Sequence, residues 1–155
     1  MNNPIGIFDS GIGGLTVAKA IRKLLPNESI LYFGDTKHLP YGDKSEESVK
    51  EFSQNISAFL KNKSCKMIVI ACNTASSLAH ETVIKTCPNI EVVNVIEPVV
   101  DRLTSSNTTS NIGIIGTKGT INSGIYPKKI RDKNNNTNVK SLATPLLAAM
   151  IEEGF

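Results

Sequence analysis

Along the chain, short runs of apolar and β-branched residues alternate with longer stretches in which apolar positions recur every three or four residues. The short runs predict buried strands, because a parallel strand covered on both faces keeps no solvent side to fill with polar residues. Six runs qualify: Ile5 to Phe8, Ser29 to Phe33, Met67 to Ala71, Glu91 to Val95, Asn111 to Ile115 and Val139 to Ala143. The longer stretches predict helices between them. Leu15 to Leu25 has helical spacing and stops at Pro26. Ser45 opens a second helix as its N-cap, with Ser48 where an ideal capping box has Glu, and Glu46 and Glu47 suit the positive end of the helix dipole. Thr74 to Lys85 predicts a third helix, closed by Cys87-Pro88, and Glu97 to Leu103 a fourth. Thr144-Pro145 reads as an N-cap followed by proline at the first helical position, opening a short helix through Glu153. The Ser-, Thr- and Asn-rich stretches Thr104 to Thr109 and Asn134 to Asn138 read as loops.

Strands alternating with helices define an α/β protein with a mostly parallel sheet, and six strands suffice for a self-contained flavodoxin-like domain. At 155 residues the chain holds one complete domain or pieces of two. Apolar residues at 40% and charged residues at 20% describe a folded, soluble chain. Lys and Arg total 17 against 14 Asp and Glu, and a net charge of +3 gives no electrostatic case for a nucleic-acid partner. The densest basic run, Lys128-Lys129-Ile130-Arg131, runs into Asp132 and an asparagine tract and reads as a solvated helix end and loop. No signal-peptide pattern and no apolar run of membrane-spanning length are present, so a cytoplasmic protein without a membrane partner is expected. Cys65, Cys72 and Cys87 lack C-x-x-C spacing and read as free thiols. His38 and His80 belong to no ligand pair, so no metal site is expected, and they read as ordinary loop or helix-surface residues.

Ligands of open parallel sheets bind beyond the carboxyl ends of the strands. Small, hydroxylic and reactive residues stand there: Asp9-Ser10-Gly11-Ile12-Gly13-Gly14, Gly34-Asp35-Thr36, Cys72-Asn73-Thr74 and Gly116-Thr117-Lys118-Gly119-Thr120. The first run is no nucleotide loop, since Thr16 replaces the last glycine of G-x-G-x-x-G and no G-K-[ST] follows. Asp9 would oppose a phosphate but attract an ammonium group, and Ser10 with free backbone N–H groups suits a carboxylate, so the pair fits an amino acid. The plainer alternative is that Asp9 and Ser10 cap the next helix. Cys72, between a buried strand and a helix N-terminus, is placed where the helix dipole favours thiolate, as a base or nucleophile. Asn73 and Thr74 add donors for a carboxylate. Cys65 and Cys87 lie away from this edge and read as structural.

The segments Phe8-Asp9-Ser10-Gly11-Ile12-Gly13-Gly14-Leu15-Thr16-Val17, Tyr32-Phe33-Gly34-Asp35-Thr36, Leu39-Pro40-Tyr41-Gly42, Ala71-Cys72-Asn73-Thr74-Ala75 and Ile115-Gly116-Thr117 resemble, in order, motifs of the aspartate/glutamate racemase family, and the opening motif resembles its glutamate branch. The resemblance implies cofactor-independent interconversion of L- and D-glutamate, supplying D-glutamate for peptidoglycan. One cysteine removes the α-proton and a second, on the opposite face, returns one, with neither pyridoxal phosphate nor metal. By the same resemblance Cys72 is the first thiol, acting on the D-enantiomer, and Asp9 and Glu152 assist it. Asp9, Ser10, Tyr41, Gly42, Asn73 and Thr74 match substrate-binding positions, and Thr117 and Thr120 add hydroxyls. A thiolate held dry beside fixed donors suits the abstraction of a weakly acidic carbon-bound proton.

The family's second motif, cysteine followed by threonine and histidine, has no counterpart among these residues. The resemblance therefore implies a truncated two-domain racemase fold, with 1–97 as the N-terminal α/β domain and 98–155 as the first part of the second. Glutamate is then the partner, and a homodimer is compatible. Two other readings compete: a non-catalytic module that binds an amino acid or dicarboxylate, and, less well supported by the glycines, a nucleotide-binding signalling domain.

Overall fold

A computed structural model describes residues 3–105 and 111–154. Four strands, β1 (Ile5–Asp9), β2 (Ile30–Gly34), β3 (Met67–Ile70) and β4 (Glu91–Asn94), form one parallel sheet in the order β2-β1-β3-β4. Ile5 stands opposite Ile30 and Met67, and Met67 opposite Glu91, so the strands end together at Asp9, Gly34, Ile70 and Asn94. The sheet stops there. β5 (Asn111–Gly116) and β6 (Asn138–Ala143) pair only with each other, in parallel, from Asn111 opposite Asn138 to Gly116 opposite Ala143. The protein is thus the α/β parallel-sheet fold expected, but its six strands do not join into one sheet.

Helices sit where the apolar spacing puts them. α1 (Leu15–Leu24) turns Val17, Ala18 and Ile21 onto Ile5, Ile7, Val69 and Ala71. α2 (Glu46–Asn62) buries Val49, Ser53, Ile56, Ser57 and Leu60, a stripe of helical period, on the opposite face of the sheet. Its N-cap is Ser45, whose Oγ accepts from the Ser48 N–H at 3.2 Å. The expected third helix is broken into α3 (Asn73–Leu78) and α4 (His80–Thr86). The break is at Ala79, whose φ of −125° is far from helical although its N–H still reaches Ala75 O at 2.8 Å. The bend sends α3 against the second half of the chain and α4 against α2 and β4.

α5 (Ile96–Thr104) begins under the Asn94 side chain, whose Oδ1 accepts from the N–H groups of Ile96 and Glu97. The loop expected at Thr104 to Thr109 lies largely outside the described residues. Between β5 and β6 run α6 (Lys118–Asn122) and α7 (Ile125–Lys133), of which only a solvated end was expected. Gly124, at φ 64°, makes the turn between them. Far from being only solvated, α7 buries Tyr126 and Ile130 against Ile96 and Val100 of α5, and Lys129 pairs with Glu97 at 2.5 Å.

α8 (Leu147–Glu152) starts later than expected. Thr144 does not cap it, because its hydroxyl donates to Gly116 O at 3.3 Å and its N–H to the same carbonyl at 2.8 Å. The side chain is spent on the end of β5 rather than on the next helix. Leu142, Leu146 and Ile151 are left more than 60% exposed, as is Ile115. None of the described helices is long and apolar enough to cross a membrane.

Candidate active site

The ends of β1, β3 and β5 bring most of the expected site residues together. β3 runs out of the sheet into Ala71, and Cys72 takes the N-cap position of α3. Its Sγ accepts from the Ala75 N–H at 3.4 Å and donates to Ser10 Oγ at 3.5 Å. The thiol is only 5% exposed. Burial and the Asp9 charge push it above the ordinary thiol value, with the Ala75 and Ser10 hydrogen bonds offsetting only part. This corrects the expected thiolate: the helix-end N–H contact is present, but desolvation outweighs it.

Asp9 is itself 7% exposed, and its Oδ2 accepts from the N–H groups of Gly11 at 3.0 Å and Gly14 at 3.1 Å. The capping alternative is therefore realised for Asp9, and two of the N–H groups expected to be free for a carboxylate are taken. A Cβ on Gly14 would lie 2.6 Å from the Asp9 Cβ, so this turn closes only on glycine. Tyr32 clamps the same loop by donating to Gly11 O at 2.9 Å. Burial first, then Asp9 and Cys72, push its hydroxyl up to about 12. Tyr32 belongs to a quoted motif but carried no individual role in the sequence reading; nothing in its spacing identifies it.

Tyr41 is placed differently from expectation. Its ring is buried and its hydroxyl donates to Asp35 Oδ2 at 2.6 Å, so only its backbone is left to meet a ligand. Burial, then the hydrogen bond to Asp35, keep that hydroxyl firmly protonated. His38 approaches Asp35 at 2.8 Å through Nδ1 and stacks on Phe52 at 4.2 Å, so it is more than an ordinary loop residue. Among the described residues no group of His, Cys, Asp and Glu is arranged to hold a metal ion.

Two contacts join the halves of the chain beside Cys72. Thr74 Oγ1 lies 2.9 Å from Thr117 Oγ1 and 3.5 Å from Thr120 Oγ1, with Thr117 and Thr120 3.1 Å apart. Thr117 is also the N-cap of α6 through the Thr120 N–H. Gly42 presses on this cluster: a Cβ there would lie 2.5 Å from the Thr117 Cβ. The second contact is Tyr126 Oη donating to Asn73 Oδ1 at 2.8 Å, which sequence reasoning missed because α7 itself was missed. A cavity of about 530 Å³ opens from Asn73, Thr117, Thr120 and Tyr126 toward Leu103 and Ile151. Glu152 is exposed, and its Oε1 lies 3.7 Å from where a Gly11 Cβ would be, near the β1 loop but with no hydrogen bond to Cys72. Cys65 and Cys87 are buried in the core, the first against Gly6 and the second donating to Ser57 O at 3.5 Å.

The sequence pattern described as Asp/Glu/Hydantoin racemase matches residues 14–154. The chain belongs to this racemase family. The glutamate racemase of Geobacter metallireducens is 48% identical over 151 residues, 97% of this chain and 56% of that protein. That of Chlorobaculum parvum is 42% identical over 153 residues, 99% of this chain and 56% of that one. The crystal structure of glutamate racemase from Francisella tularensis in complex with D-glutamate superposes with a TM-score of 0.94 at 44% identity, covering 99% of this chain and 57% of that one. This racemase-family chain thus spans little more than half the length of these relatives, and its fold is theirs over that span.

Proposed function

We propose that this chain is the N-terminal part of a glutamate racemase in which Cys72 is one of two proton-transferring thiols. The observation that carries the reading is Cys72 itself. It is a buried thiol at a strand end, hydrogen-bonded to Ser10, influenced by Asp9 and adjacent to Asn73 and the Thr74, Thr117 and Thr120 hydroxyls. The ammonium of glutamate meets Asp9 and Ser10. Its carboxylates meet Asn73, Thr74, Thr117, Thr120 and the Gly42 backbone. Once the ammonium neutralises the field of Asp9, one of the two causes holding the thiol protonated is removed.

In the D-to-L direction the Cys72 thiolate takes the α-proton. The C–H bond breaks, its electrons remain on the α-carbon beside the hydrogen-bonded carboxylate, and an S–H bond forms. A second thiol on the opposite face then protonates that carbon. In the L-to-D direction the protonated Cys72 is the donor, the role its surroundings favour in the free protein. Glu152 assists from α8. No cofactor takes part in this reading.

Within it, residues 1–97 form one domain and 98–155 open a second. The protein works in the cytoplasm, as a monomer or homodimer, and its product serves peptidoglycan and hence cell shape. Calorimetry with D-glutamate, L-glutamate and aspartate tests the substrate. Glutamate is expected to bind more tightly than aspartate, and a Cys72→Ala variant is expected to retain that binding. Tighter binding of aspartate, or binding of none of the three, refutes the assignment.

A further inference from the structure

Tyr126 has no role in the reaction just described, yet its hydroxyl is the one polar atom that α7 sends across to α3. The ring is 8% exposed and packs with Ile96, Val100 and Ile130. Its hydroxyl donates to Asn73 Oδ1 at 2.8 Å. Asn73 is exposed, and its amide nitrogen has no hydrogen-bond partner among the described residues. An asparagine amide has an accepting end and a donating end, and a carboxylate can use only the donating end. Were the amide reversed, Tyr126 would accept from Nδ2 and its own proton would have no acceptor in an apolar pocket, which is costly.

We propose that Tyr126 is a positioning residue, which fixes the Asn73 amide with its oxygen toward α7 and leaves its two N–H donors for a carboxylate of the bound amino acid. The inference rests on the glutamate reading for the identity of that ligand. It adds that the donor set is completed from the β5–β6 half of the chain. Asn73 is ready to bind only while α7 is docked on α3, so that contact couples substrate affinity to the closeness of the two halves.

The test uses the 155-residue chain as wild type, Tyr126→Phe, Asn73→Ala and the double variant, with D-glutamate titrated calorimetrically. Phe keeps the buried ring, and melting curves check that each variant is folded. Tyr126→Phe is expected to bind about tenfold more weakly, the range of one hydrogen bond in such a site. The double variant is expected to bind no more weakly than Asn73→Ala, since both changes act on one donor. The Asn73 side-chain ¹⁵N–¹H signals are expected to move on adding D-glutamate to the wild type and to move little in Tyr126→Phe. Asn73→Asp keeps an acceptor for Tyr126 but places a carboxylate against a carboxylate, and is expected to bind more weakly than Asn73→Ala. Equal affinity of wild type and Tyr126→Phe, or losses that simply multiply in the double variant, would overturn the proposal while leaving the glutamate reading intact. Failure of the wild type to bind either enantiomer overturns that reading, and this inference with it.

Discussion

Cys72 is held by opposing influences: the Ala75 and Ser10 contacts favour its thiolate, while burial and Asp9 disfavour it more. Its alkylation by iodoacetamide is therefore expected to be slow at pH 7 and to accelerate only above the ordinary thiol value of about 8.5. Asp9→Asn removes one of the two opposing causes and is expected to shift that acceleration to lower pH, read by peptide mapping across a pH series. Acceleration at unchanged pH would show that Asp9 does not act on the thiol. Gly42 and Thr117 offer a steric counterpart. Gly42→Ala puts a Cβ 2.5 Å from the Thr117 Cβ, so one of the two must give way. The expected cost is about 1–3 kcal/mol of stability, as for overpacking elsewhere, with weaker glutamate binding in calorimetry. The residues at strand ends were legible in the sequence because position and residue type together mark them. Tyr32 and Tyr126 were not, since a tyrosine in a strand or helix has the same pattern whether its hydroxyl is idle or engaged.

At the scale of elements, helix caps separate what spacing can establish from what it cannot. Ser45 and Thr144 both precede helices and both look like N-caps in sequence, yet Ser45 Oγ accepts from Ser48 N–H while Thr144 Oγ1 donates to Gly116 O. Ser45→Ala is accordingly expected to cost about 1 kcal/mol through loss of the cap, whereas Thr144→Ala should leave the helix content of α8 unchanged. Chemical denaturation and far-ultraviolet circular dichroism distinguish them; a loss of α8 in Thr144→Ala would show that it caps after all. The first four strands were legible to within about a residue because buried parallel strands are continuous apolar runs. α6 and α7 were not, because glycines at 119 and 124 interrupt the period and α7 buries only Tyr126 and Ile130. The split at Ala79 has no sequence mark, as alanine is a good helix former and the bend follows from packing against two different neighbours.

For the whole molecule, titration in the core sets how stability depends on pH. The thiols of Cys65, Cys72 and Cys87 and the hydroxyls of Tyr32, Tyr41 and Tyr126 are all pushed up, with burial the largest cause in each. An unfolded chain releases thiol protons near pH 8.5, roughly the ordinary value, while the folded chain still holds them. Stability from these groups is thus intact below that pH and is lost as pH rises through the higher folded values. The melting temperature is expected to fall between pH 8 and 10, and a flat profile would contradict the burial of these groups.

The same inventory of thiols bears on catalysis. Inversion at the α-carbon needs a proton donor on the face opposite Cys72, and Cys65 and Cys87 are both buried in the core packing. Neither can reach a substrate held at Ser10 and Asn73 without unfolding the sheet or α2. The 155-residue chain by itself is therefore expected to bind glutamate but not to invert it. A single thiol can at most exchange the α-proton with retention, and a cleft open to water screens the charges that step relies on. Circular dichroism of glutamate follows inversion, and deuterium incorporation by NMR follows exchange. Fusing the C-terminal segment of a relative such as the Geobacter metallireducens protein, or adding it in trans, is expected to restore inversion. Cys72→Ala in the fused chain is expected to abolish it. Cys72-dependent inversion by the 155-residue chain alone would overturn the single-thiol argument and require a second acid from within it or from a neighbouring copy.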